Sequence, residues 1–367
     1  MTPQNVPAHN HTDFHADESG VLALLTQKAR DNISDILSIC IKHDRAKEKA
    51  LVIYDDVSGL TSILTEAYKV TLPDAHFVNF NKSNKEEILS HFNDLKPGDL
   101  VVLIQSTNFL LNEFRIRLHL FNNHLKVIEH MHLARNDTSM WETYVNSLSY
   151  DTDWYPVVAP KIKSILDSCE KVAISSRGKE LILKGGTEPA MLNIGDYANM
   201  ANIGGTFPIG EVFTEGKTLE GLNGEVYIYA FADKDFNVQM YEPFLISISE
   251  GQIVKVSENT PELFKEILEL VRMYERPIIR EIGFGLNRAI SKEKPLSDIT
   301  AFERVLGMHL SLGEKHSIFK KEGMTTNKTK FHIDIFPVVD QVFVDNKLLF
   351  KDGVYLPLLR TSFASKP

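Results

Sequence analysis

The stretch KALVIYDDVSGLTSILTEAYKV (49–70) decides how the first half of the chain folds. Its opening, ALVIY, is an unbroken apolar run of strand length and reads as a buried strand ending in acidic residues. The following SGLTSILTEAYKV changes to the spacing of an amphipathic helix, with Ser58 at the N-cap. Outward from there the alternation continues. HFVNFN (76–81) reads as a strand, EEILSHFNDL (86–95) as a helix and DLVVLIQS (99–106) as another buried strand. Upstream, VLALLTQKARDNISDILSICI (21–41) repeats apolar residues at three- and four-residue steps, as a helix does. Strand–helix–strand alternation of this kind predicts a parallel α/β sheet. The first strand-to-helix turn has no glycine-rich phosphate loop, so nothing supports a dinucleotide site.

Beyond residue 160 the character changes. KVAISSRGKELILKGG (171–186) predicts an antiparallel hairpin turning near Ser176 and Gly178. Short strands and glycine-bearing turns follow in GEVYIYAFA (224–232), FLISISEGQIVKV (244–256) and QVFVDNKLLFKDGVYL (341–356), interrupted by one helix, PELFKEILELVRMYE (261–275). The expected organisation is a flexible polar tail over 1–20, an α/β domain over 21–160 and a β-rich α+β domain over 161–367. The tail carries His9, His11 and His15, for which disorder is the expected state and an adventitious metal-binding tail the alternative.

Composition bounds the function. The chain has 367 residues, 24% of them charged, with a net charge of −9, and shows no strong Lys/Arg cluster, which argues against nucleic-acid binding. Two cysteines, Cys40 and Cys169, make no disulfide framework and point to a reducing compartment. No apolar run reaches the length of a membrane span, and the N-terminus has no signal-peptide core, so the expected location is cytoplasmic.

The residues that could carry chemistry gather in the second half. In KFHIDIF (330–336), strand alternation sets Phe331, Ile333 and Ile335 on one face and His332 and Asp334 on the other. NIGGTFPIGEVFTEG (202–216) places Glu211 after a run of glycines, and IIREIGFGLNRAI (278–290) places Glu281 before Gly283 and Gly285. The bland reading of Glu211 is a solvated turn residue, and that of Glu281 is an ion pair with its neighbour Arg280. ERVLGMHLSLGEKHS (303–317) adds Glu303, His309 and His316, and its Gly307 and Gly313 argue against one continuous helix. Earlier in the chain, His130 and His132 form a candidate second metal pair that lacks a third ligand. Their alternative is polar residues at a strand edge or domain interface. Carboxylates with imidazoles and no thiolate suit Zn²⁺, Co²⁺, Mn²⁺ or Fe²⁺.

The succession IGEVFT, REIGFGLN, GMHLSLG and FHIDIF resembles the thermophilic metallo-aminopeptidase (aminopeptidase T) family, well over residues 170–336 and weakly before them. The resemblance implies an N-terminal α/β domain, a C-terminal domain with a two-metal centre, a homodimer, and removal of N-terminal amino acids with Co²⁺ or Zn²⁺. It implies Glu211, Glu281, His309, His332 and Asp334 as ligands, with Glu303 as a further carboxylate shifted by one residue. Where the family has a tyrosine seven residues after the first ligand histidine, this chain has His316. An imidazole there titrates near 6.5 rather than 10 and can itself bind metal.

The resulting expectation is a metal-dependent hydrolase with a one- or two-metal centre, acting on an N-terminal amino acid or a small amide. Glu211 or Glu281 would bridge two cations, Glu281 and His316 would be catalytic, and His316 would bond the tetrahedral intermediate. One alternative is a non-haem Fe(II) dioxygenase resembling 2,5-dihydroxypyridine dioxygenase, in the same superfamily. The other is a peptide-binding scaffold whose chemistry has changed.

Overall fold

The computed structural model describes residues 16–111, 116–316, 318, 319, 321 and 331–356. The histidine-bearing start of the expected tail, residues 1–15, lies outside them.

Helix α1 (Ala16–Asp35) continues into a π-helical turn (Ile36–Cys40) and is followed by β1 (Ala50–Tyr54), α2 (Gly59–Thr71), β2 (His76–Asn79), α3 (Lys85–Asn93), β3 (Leu100–Ile104), α4 (Ile116–Asn122) and β4 (Lys126–His130). The Ser58 hydroxyl caps α2 by accepting the Thr61 N–H at 3.2 Å. Strands β2, β1, β3 and β4 pair in parallel in that order. Their side chains alternate between two apolar layers. Val52, Val102 and Ile128 pack with residues of α1 and α2, whereas Leu51, Val101 and Val127 pack with residues of α3 and α4. Burial on both faces is why these strands are apolar throughout. Acidic Asp55, just past β1, is structural: it accepts the Ser106 N–H at 2.7 Å and the Ser106 hydroxyl at 2.5 Å, tying β1 to β3.

After α5 (Trp141–Ser147) and α6 (Tyr155–Asp167) come β5 (Lys171–Ser176), β6 (Lys179–Lys184), β7 (Met191–Asn193), β8 (Gly204–Phe207) and β9 (Glu211–Glu215). Then follow β10 (Leu222–Ala232), β11 (Val238–Ser249), β12 (Gln252–Val256), α7 (Glu262–Arg272), β13 (Ile279–Gly285), α8 (Ile299–Phe302), β14 (Gly307–Leu312), β15 (Ile333–Pro337), β16 (Gln341–Val344), β17 (Lys347–Lys351) and β18 (Val354–Tyr355). Thirteen of these strands form one antiparallel sheet with the order β18-β17-β16-β5-β6-β10-β15-β14-β13-β9-β7, in which β11 joins β10 to β12. The fold class is thus a parallel α/β sheet followed by a β-rich α+β region.

The division near residue 160 is not clean. Helix α6 spans it, and β8 returns to the first sheet as a fifth parallel strand beside β4. One apolar cluster also runs from Val52 and Tyr68 through Tyr144 to Phe244 and Phe336. The short GGTF strand is too weakly patterned to announce a partner some 75 residues upstream. Its pairing through Val127–His130 supplies the reason it forms.

Cys40 and Cys169 are both free and buried. Among the described residues, no helix is long and apolar enough to cross a membrane.

Candidate metal centre

The four strands β15-β14-β13-β9 lie side by side, and this order assembles the centre. In the register, Glu281 of β13 stands opposite Ser311 of β14, and Ser311 stands opposite Asp334 of β15. His309, two residues before Ser311 on β14, shares its face. Gly283 is opposite His309, and a Cβ there would lie 2.0–2.6 Å from the imidazole ring atoms. The glycines of REIGFG therefore serve close packing across the sheet. Glu211 opens β9 directly after Gly210, whose φ of +120° suits glycine.

Three overlapping groups place ligand atoms within 4.8 Å of one another: Glu211–Glu281–His309, Glu281–His332–Asp334 and Glu303–His309–Asp334. All six sequence-expected ligands are therefore brought together. His309, wholly buried, points Nε2 at Glu211 Oε1 and Glu281 Oε1, both 3.2 Å away. Its Nδ1 is buried without a hydrogen-bond partner. A neutral ring with its Nε2 lone pair between two carboxylates repels them, and a ring that carries Nε2–H, neutral or charged, donates to them but leaves Nδ1 buried and unpaired. The arrangement asks for a cation at the point where these atoms converge. The protein's own answer is a proton. Burial opposes it, but the Glu281 hydrogen bond and the Glu211 charge push the His309 pKa up to about 10. The donor set therefore fits a divalent cation.

His332 is oriented in the way metal-ligating imidazoles commonly are: its Nδ1–H donates to the Lys315 carbonyl at 3.1 Å, which leaves Nε2 facing Asp334 Oδ1 at 3.5 Å. Its pKa is raised against burial by the charges of Asp334 and Glu281. Asp334 accepts the Ser311 hydroxyl at 2.6 Å. Glu281 is held below the usual carboxylate range despite its burial by hydrogen bonds from His309 and His316. Burial raises the pKa of Glu211, and that of Glu303 well above the carboxylate range, against the opposing charge of Arg304.

Several readings need correction. Arg280 does not pair with Glu281. Adjacent strand residues face opposite ways, and Arg280 donates to Glu215 Oε2 at 2.6 Å beneath the sheet. Glu211 is buried and is no solvated turn residue. His316 is not free to bond a reaction intermediate, because its Nδ1 accepts the N–H groups of Ile318 and Phe319 at 3.1 and 3.2 Å, and its Nε2–H is committed to Glu281 Oε2 at 2.7 Å. His130 and His132 form no metal pair. His130 is fully buried, with Nε2 2.9 Å from the Tyr68 hydroxyl and Nδ1 3.1 Å from that of Tyr144, and burial lowers its pKa to about 3. His132 begins a 3-10 turn in left-handed backbone.

Two contributors were not singled out in the sequence. Ser311 was detectable in principle, two residues from His309 on one strand. Arg304 was not, because it sits in the turn between α8 and β14 with no periodicity to read. Its guanidinium bonds Glu211 Oε2 and lies 2.8 Å from Glu303 Oε1, and its Nε is buried without a partner.

The centre forms one wall of a cavity of about 720 Å³. Arg117, Met131, Thr206 and Tyr197, which packs on Phe207 of β8, line it from the parallel sheet, and Phe213 and His332 from the antiparallel one. A smaller groove of about 410 Å³, lined by His43, Lys47 and Asp74 among others, contains none of the three metal-capable groups found among the described residues.

No family model matches the sequence, and no curated protein is significantly similar to it. Solved structures do match. The fold is shared with the 2,5-dihydroxypyridine dioxygenase of Pseudomonas putida KT2440, at 16% identity and a TM-score of 0.61 over 91% of this chain and 97% of that one. It is shared also with wild-type AmpT of Thermus thermophilus, at 11% identity and a TM-score of 0.54 over 90% of this chain and 100% of that one. At these identities the likeness is one of fold.

Proposed function

We propose that the chain is a metal-dependent hydrolase that releases N-terminal amino acids from peptides or cleaves small amides. One observation carries this reading: each of the three ligand groups on the cavity wall combines two carboxylates with a single imidazole. Such oxygen-rich sets suit Zn²⁺, Mn²⁺ or Co²⁺ acting as Lewis acids, whereas the oxygenase triad of non-haem iron has two histidines and one carboxylate.

A divalent cation, when bound, supplies a nucleophilic water at neutral pH and polarises the carbonyl. The chain's own residues do the rest. Glu281 and Asp334, with His309 and His332, would hold the ion. His316 fixes the orientation of Glu281, and Ser311 that of Asp334. Glu303, whose Oε1 faces Arg304, is the candidate to carry the proton to the leaving amine. A peptide or small-molecule substrate, a homodimer and a cytoplasmic location belong to the same proposal.

A second reading, an Fe(II)-dependent ring-cleaving dioxygenase, is favoured by one relation. Asp334 belongs to both the His309 group and the His332 group, which brings two imidazoles to one carboxylate. One experiment separates the two. Metal-free protein is reloaded with Zn²⁺, Co²⁺, Mn²⁺ or anaerobic Fe²⁺ and offered aminoacyl anilides or dihydroxy-aromatics. Amine release that is lost in Glu281→Gln supports the hydrolase. Oxygen uptake with Fe²⁺ alone, and no amine release, overturns it in favour of the dioxygenase.

A further inference from the structure

We propose that Arg304 serves as a built-in second cation, so that the centre holds one divalent ion and not two. The inference deepens the metal-centre reading and rests on it.

A two-ion centre is held together by a carboxylate that gives one oxygen to each ion. Every carboxylate in this cluster already has one oxygen engaged by a fixed protein donor. Glu211 Oε2 accepts from the Arg304 guanidinium and Glu303 Oε1 lies 2.8 Å from it. Glu281 Oε2 accepts from His316 at 2.7 Å. Asp334 Oδ1 accepts from Ser311 at 2.6 Å. The remaining oxygens, with the two imidazoles, are enough for one ion. For Glu211 or Glu281 to bridge two cations, the second ion would have to use an oxygen that already accepts from Arg304 or His316.

Charge leads to the same conclusion. The guanidinium is permanently charged and delocalised, and its planar fork suits carboxylates. It is buried against two of the four acidic groups, with side-chain exposures of 8% for Arg304, 5% for Glu211 and 17% for Glu303. A divalent ion at Glu211 and Glu303 would have to share that low-dielectric volume with a like charge. The positive charge that a second metal would bring is already supplied by the chain, at the edge of the cluster nearest Glu211. The ion is left to Glu281 and Asp334 with the two imidazoles, His309 and His332, on the side of the cluster away from the guanidinium.

The test counts ions. Full-length protein with His9, His11 and His15 changed to Gln, to remove loose binding by the tail, is titrated with Mn²⁺, desalted and analysed for metal and by electron paramagnetic resonance. One ion per chain with an uncoupled six-line spectrum is expected. Arg304→Lys keeps a cation and should stay at one. Arg304→Ala should rise to two, with a spin-coupled signal. Two ions in the otherwise unchanged chain overturn the inference and leave the hydrolase reading standing. No ion overturns both. A folded Arg304→Ala protein that still holds one ion shows that the guanidinium is not what excludes the second. The count on the chain with Arg304 intact does not depend on any variant folding.

Discussion

His316 donates its Nε2–H to Glu281 Oε2 at 2.7 Å, from the segment that follows β14. The residue that departs from the aminopeptidase pattern is therefore spent on orienting a ligand, one bond away from the expected metal.

His316→Ala removes that orienting bond without removing a ligand. Outer partners of this kind are worth about 10–100-fold in metal affinity. Competition against a chelator should show a loss of this size with the fold intact by circular dichroism. Unchanged affinity would mean that Glu281 needs no such support.

The loop itself is clamped from below. Arg280 donates to the backbone carbonyls of Glu314 and Phe319, on either side of His316, and pairs with fully buried Glu215. Arg280→Gln leaves the Glu215 charge to Lys321 alone, at 3.2 Å. The expected destabilisation is roughly 3–5 kcal/mol, measured by urea unfolding. The double change Arg280→Met with Glu215→Leu should recover much of it, because no uncompensated charge remains.

Gly283→Ala places a methyl against the His309 ring. A buried ring confined between β13 and β15 cannot yield cheaply, so the cost should be about 1–3 kcal/mol with loss of bound metal. A variant with unchanged metal content would show that His309 is dispensable.

Stability should fall in acid through His130. Its pKa is about 3 in the fold, against about 6.5 when unfolded, so only the unfolded chain takes up the proton between those values. The contribution is complete above pH 6.5 and is lost as pH falls towards 3. At pH 4.5 the loss from this group should be about 2–3 kcal/mol relative to pH 7. His130→Gln should flatten that part of the profile in urea titrations. An equally steep profile in the variant would assign the acid sensitivity elsewhere.

The sequence by itself determined the parallel sheet of the first half, because ALVIY and DLVVLIQS are apolar on both faces and ALVIY is followed by a capped amphipathic helix. It marked the candidate ligand types as well. Glu211, Glu281, His309, His332 and Asp334 are polar groups in or beside strands whose neighbours are core residues, and polar groups are seldom held in such places without a partner.

Only the tertiary structure decided what surrounds them. The return of β8 to the first sheet, the seating of Arg304 on Glu211 93 residues away, the Arg280–Glu215 pair and the enclosure of His130 by two tyrosines are all contacts across long stretches of chain. Local periodicity reports which face a side chain takes. It carries no information on which distant strand will lie beside it, and the strand order β15-β14-β13-β9 makes these residues one site.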